Sequence, residues 1–213
     1  MRTSIVVRSL VIAAAGVAIP LLAQAGSSVQ TGAGALTATA QVQFSITIPQ
    51  VLYLRVGTGS SYTTGVLANN AAIDAINFAP TAGQIGTGGA VAGTGGDLTG
   101  GVETAAVIGN GGTVTLGAST PGAMNDGAGD TINWSSITTA STTLTTGTAL
   151  PAPVLANGAS ANLTLNPATK TVFEDAKWTY TYNITAGNSP AAGNYGGATA
   201  AQNGLVTYTA SMP

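Results

Sequence analysis

The 213-residue chain has no histidine and no cysteine, and only seven acidic and five basic residues. Those absences bound the chemistry. Ser-His-Asp and Cys-His arrangements are impossible, and most zinc sites go with them. Carboxylates remain. Glu103, Glu174 and Asp175 are the residues from which a glycosidase-type pair could be drawn. Glu174 and Asp175 are adjacent, so on a strand they point to opposite faces and cannot flank one bond. Lys170 and Lys177 lack the SxxK spacing of a Ser-Lys nucleophile. The composition predicts a protein that is not an enzyme.

Oxygen ligands offer a second possibility. "NDGAGD" (125–130) places Asn125, Asp126 and Asp130 around two glycines, a pattern of hard oxygens on a tight turn that suits calcium. It occurs once, has no closing glutamate, and matches neither the EF-hand nor the nonapeptide repeat. A plain turn is the stronger reading, and no cofactor is expected. The Gly-rich stretch 86–101 repeats GTGG and superficially looks like a phosphate loop, but it has no GK[ST] ending and no lysine. It is expected to be a flexible surface loop or a contact loop at an assembly interface. Lys170 and Lys177 near Glu174 also raise a Lys–Asn isopeptide staple, which would lower the intact mass by ~17 Da, one ammonia. "NWS" (133–135), "NLT" (162–164) and "NIT" (183–185) match the glycosylation acceptor pattern, as chance allows in a chain rich in Ser and Thr.

The elements that would position these groups begin after residue 25. Arg2 and Arg8, the apolar run from Leu10 to Ile19 and Ala23-Gln24-Ala25 read as a secretory signal, with a mature chain starting at Gly26. The expected location is therefore secreted: periplasm, outer cell surface or extracellular. No later run is long enough for a transmembrane helix. Only Arg55, Lys170 and Lys177 then remain as cations, too few to track phosphates, so nucleic acid is not an expected partner. With 6% charged residues, copies repel each other little, which favours association.

Residues 26–35 read as a flexible leader and 36–213 as one β domain. "LTATAQVQFSITIP" (36–49) alternates strictly: Leu36, Ala38, Ala40, Val42, Phe44, Ile46 and Ile48 are apolar, and polar residues fill the positions between. This predicts a half-buried strand ending at Pro49, where the chain passes from one sheet to another. "VLYLRVG" (51–57), "AIDAINFA" (72–79), "AAVIG" (105–109), "TVTLGA" (113–118), "TINWSSITT" (131–139), "TTLTTGTAL" (142–150) and "SANLTLN" (160–166) are further strand candidates. "KWTYTYNI" (177–184) sets Trp178, Tyr180, Tyr182 and Ile184 on one face. "LVTYTASM" does the same with Val206, Tyr208, Ala210 and Met212. No window shows a helical period with caps. The prediction is an all-β, immunoglobulin-like Greek-key β-sandwich with Gly-rich loops.

"WTYTYN", "AAGNYGG" and "NGLVTYTASMP" at the C-terminal end, with "ITIPQVLYLRVG" near the start, resemble secreted Gram-negative fimbrial-like β-sandwich proteins. That group is similar in outline to pilus subunits polymerised by donor-strand complementation. The resemblance implies a structural surface subunit in which residues 36–48 fill a groove of the next copy and 26–35 act as hinge. Its partners would be copies of itself or related surface subunits. The alternative is a monomeric adhesin or carbohydrate-binding module, with loops 58–72, 83–101 and 119–130 forming the contact surface and Trp134 and Tyr62 as candidate glycan aromatics; Trp134 has the stronger claim to be core.

Overall fold

The computed structural model describes residues 26–59, 67–145, 147–187 and 189–213. The signal reading for residues 1–25, and Tyr62, lie outside them. Pro49–Pro213 forms one compact unit, separate from the chain up to Ile48.

The segment 36–48 differs from expectation. It forms no strand, and its alternating residues are exposed, with Phe44 and Ile46 each 86% accessible. Alternation supplies an amphipathic face, but a strand also needs a ladder partner, and none is given to this segment. Pro49 accordingly marks the start of the compact unit and not a switch between sheets.

That unit is all-β and antiparallel. Its elements are β1 (Leu52–Val56), β2 (Ile76–Phe78), α1 (Ala82–Thr87), β3 (Gly89–Gly95), β4 (Val102–Gly109), β5 (Val114–Ser119), β6 (Met124–Asn125), β7 (Thr131–Ile132), β8 (Ile137–Thr142), β9 (Leu163–Leu165), β10 (Val172–Ile184) and β11 (Thr207–Ser211). A six-stranded sheet runs β1-β4-β10-β3-β2, with β8 also on β10; a three-stranded sheet runs β11-β5-β9; β6 and β7 form a hairpin. Both larger sheets contribute to one core: Val91, Ala105, Val107, Trp178 and Tyr180 from the first, and Val114, Leu116, Ala118 and Leu165 from the second. The arrangement is sandwich-like.

β10 organises the large sheet. Its even positions Trp178, Tyr180, Tyr182 and Ile184 are buried, as their period of two requires. Trp178 is fully enclosed and donates its indole N–H to the Leu150 carbonyl at 2.9 Å. On one edge β10 pairs β8; on the other it pairs β4 and then β3. Ala92 opposes Thr181 and Val102 opposes Thr179, so residues 93–101 are looped out opposite the single residue Tyr180. Strands β3 and β4 are in effect one line of chain with an excursion in the middle. Gly93 and Gly101 pinch its base: a Cβ on Gly101, whose φ is +73°, would stand 2.7 Å from Gly93 Cα. Glycine is required there because the two backbones nearly touch.

Three local expectations are corrected. The stretch 86–101, expected to be a flexible loop, carries the end of α1, all of β3 and the excursion. The helix starts where Thr81 caps it: the Thr81 hydroxyl accepts from Gln84 N at 3.3 Å and Gln84 Oε1 accepts from Thr81 N at 2.9 Å. This is a capping box, which stabilises a helix too short to show a period. "TINWSSITT" is not one strand, because a 3-10 turn at Trp134–Ser136 separates β7 from β8. "TTLTTGTAL" is largely outside strands.

Candidate functional site

The excursion brings three carboxylates together. Asp74 lies just before β2, Asp97 lies on the excursion, and Glu103 stands at the start of β4 on the face that carries Ala105 and Val107 into the core. One oxygen from each falls within 4.8 Å of the others. Glu103 is only 4% exposed.

Main-chain amides surround the group. Thr58 N donates to Asp74 Oδ2, Gly59 N to Asp97 Oδ2 at 3.3 Å, Thr104 N to Asp97 Oδ1 at 2.8 Å, and Asp97 N to Glu103 Oε2 at 3.2 Å. The Thr104 hydroxyl also bonds Asp97 Oδ2. The turn after β1 makes room by being glycine: a Cβ on Gly57, φ +76°, would meet Asp74 Oδ2 and Glu103 Oε2, each at 2.6 Å. Burial pushes the Glu103 carboxyl up to about 7. The Asp97 amide pulls the other way, and the charges of Asp74 and Asp97 raise it further. A carboxyl so placed keeps its proton toward neutral pH and is hydrogen-bonded to Asp74. Three oxygens at this spacing are also what a hard cation takes as ligands. In either case the group ties the end of β1 to the excursion and to β4.

The residues singled out in the sequence fall elsewhere. Asn125, Asp126 and Asp130 occupy the β6–β7 turn. Asp126 Oδ1 accepts from the amides of Ala128, Gly129 and Asp130 at 2.8–3.1 Å, and Asn125 Oδ1 from Gly127 N at 3.0 Å. Those amides hold the Asp126 carboxyl below its usual range. Asn125 Oδ1 and Asp126 Oδ1 are thus engaged in shaping the turn. Asp175 is buried and accepts from Thr145 N and Thr145 Oγ1, whereas Glu174 is half-buried on the opposite face, its carboxyl raised by burial. Glu103 opposes Trp178 and Asp175 opposes Ala106 in the β4–β10 ladder, so Glu103 and Asp175 also face opposite sides. Glu174 and Lys177, three apart on β10, do the same.

Trp134 is 5% exposed and donates to the Gly122 carbonyl at 2.9 Å, so it belongs to the core and offers no stacking surface. The seven alternating residues 36–48 are exposed, with Val42, Phe44, Ile46 and Ile48 between 74% and 86% accessible. Asp74 and Asp97 carried no signal in the sequence beyond the doubled GTGG, whose glycines allow the excursion. The described residues contain no helix long and apolar enough to cross a membrane. No protein-family profile matches the chain, and no curated protein or solved structure matches it.

Proposed function

We propose that the chain is a non-enzymatic, secreted, fimbrial-like surface subunit that associates with copies of itself through residues 36–48. The immunoglobulin-like Greek-key connection of its sandwich is part of this reading. The carrying observation is the exposed row Val42, Phe44, Ile46 and Ile48 on a segment with no charge and no ladder partner. Burying such side chains is worth roughly 1.5–3 kcal/mol each. Four of them give about 6–12 kcal/mol, against an association cost of about 4–15 kcal/mol. The two ranges overlap, so side-chain burial leaves little surplus over much of the range, and backbone pairing along an open strand edge adds to it.

The test is solution mass by light scattering with negative-stain images of the same fractions. Oligomers or filaments that vanish on deletion of 36–48 support the reading. A clean monomer at high concentration overturns it and leaves a monomeric adhesin or carbohydrate-binding module as the function to screen.

A further inference from the structure

Resting on that reading, we infer that the acceptor for residues 42–48 of a second copy is the free edge of β8. Strand β8 pairs only with β10, and it is the longest strand with an unpaired edge among the described residues. Edge strands in stable monomers are protected by charge, proline, bulges or shortness. "ITTAST" has no charge and no proline. Of the other open edges, β2 and β9 are three residues each and β1 carries Arg55; β11 is also uncharged and free of proline but one residue shorter, so what singles out β8 is the packing beside it.

Beside this edge is a cavity of about 160 Å³ lined by Ile137, Thr139, Ala152, Pro153 and Leu155, with Val154 at its rim and 76% exposed. Chain 152–155 runs past β8 outside any strand. Among the described residues, the Thr139 hydroxyl is buried without a hydrogen-bond partner. A buried hydroxyl normally has one, so this edge is incomplete as it stands. An added strand supplies backbone groups for the β8 edge and an apolar side chain for the cavity. Residues 42–48 have the matching form, with no charge, alternate apolar side chains and no partner of their own. Ser45 then faces away from the core, beside outward-facing Ala140.

The chain has no cysteine, so single thiols report proximity cleanly. Full-length S45C is mixed with isotopically labelled full-length A140C, oxidised, and the covalent heterodimer read by mass. T209C on β11 and T164C on β9, both exposed, serve as comparison edges. The expected result is a heterodimer with A140C that is lost with T209C and T164C, and lost again when Phe44→Asp is added to S45C. Oligomers by light scattering whose S45C thiol joins T209C or T164C instead overturn the β8 assignment and leave assembly intact. Absence of both oligomers and crosslinks overturns assembly and the β8 assignment together.

Discussion

The hydroxyls of Tyr180 and Tyr208 lie 2.8 Å apart, one from each sheet of the sandwich. The Tyr208 ring also packs on Trp178, centroids 5.2 Å apart and tilted by 47°. Two apolar rows that repeat with period two along distant segments therefore meet across the core, not along a shared ladder. Burial pushes the Tyr208 hydroxyl up to about 12 and raises that of Tyr180, so both stay protonated and the bond persists at ordinary pH.

Removing either hydroxyl strands the other in the core. Tyr180→Phe and Tyr208→Phe are each expected to destabilise by roughly 1–3 kcal/mol. The double variant is expected to cost clearly less than the sum, because it leaves no orphan. Urea unfolding of the four proteins gives the coupling directly. Strict additivity would mean that the two hydroxyls do not depend on each other.

Glu103 sets a pH dependence whose sign follows from its raised carboxyl. The folded state holds the proton up to about 7, against an ordinary value of 4.5. Between those values the native state binds more protons than the unfolded chain, so stability falls as pH rises. The contribution is fully present below about 4.5 and is lost as pH passes through about 7. Glu103→Gln keeps an acceptor for the Asp97 amide and a donor toward Asp74 without acquiring charge. Melting at pH 5 is expected to be nearly unchanged. At pH 8 the variant melts higher than the parent, by roughly 2–4 °C for each kcal/mol recovered. A variant that melts lower at pH 8 would mean that the charged form is held by something stronger than these amides.

Gly57 is held to glycine twice over, by φ +76° and by the carboxylates 2.6 Å from where a Cβ would stand. Gly57→Ala is expected to destabilise by about 1–3 kcal/mol through strain at a left-handed position and displacement of the acid group. Combining it with Glu103→Gln at pH 8 is expected to be non-additive, since both act on the same contact. Thermal melts of the two single variants and the double settle this.

What the sequence made legible was periodicity with a partner. "KWTYTYNI" and "LVTYTASM" came out as core-facing strands because aromatic and other apolar residues at period two leave one choice of buried face. The adjacency of Glu174 and Asp175 likewise forced them apart. Two kinds of feature were hidden. The acid group draws on residues 74, 97 and 103, and nothing local announces that a looped-out stretch will bring Asp97 back to Glu103. The helix at 82–87 is too short for a period, and only the Thr81–Gln84 cap signals it. The run 36–48 shows the opposite failure. Its pattern is the cleanest in the chain, yet pattern specifies which face is buried only once a neighbouring strand exists.

That run separates stability from assembly. Phe44 and Ile46 are 86% exposed, so they contribute little burial to the folded chain. Phe44→Asp and Ile46→Asp are expected to leave the urea midpoint of the dilute, unassociated protein unchanged within about 0.5 kcal/mol, the range of ordinary surface changes. The same substitutions place a charge where a partner would bury an apolar side chain, which costs several kcal/mol unless the charge is paired. Association measured by light scattering is therefore expected to be abolished while unfolding is untouched. If the unfolding midpoint drops together with the oligomers, residues 36–48 complete the fold of their own chain, and the exposed row is not an assembly strand.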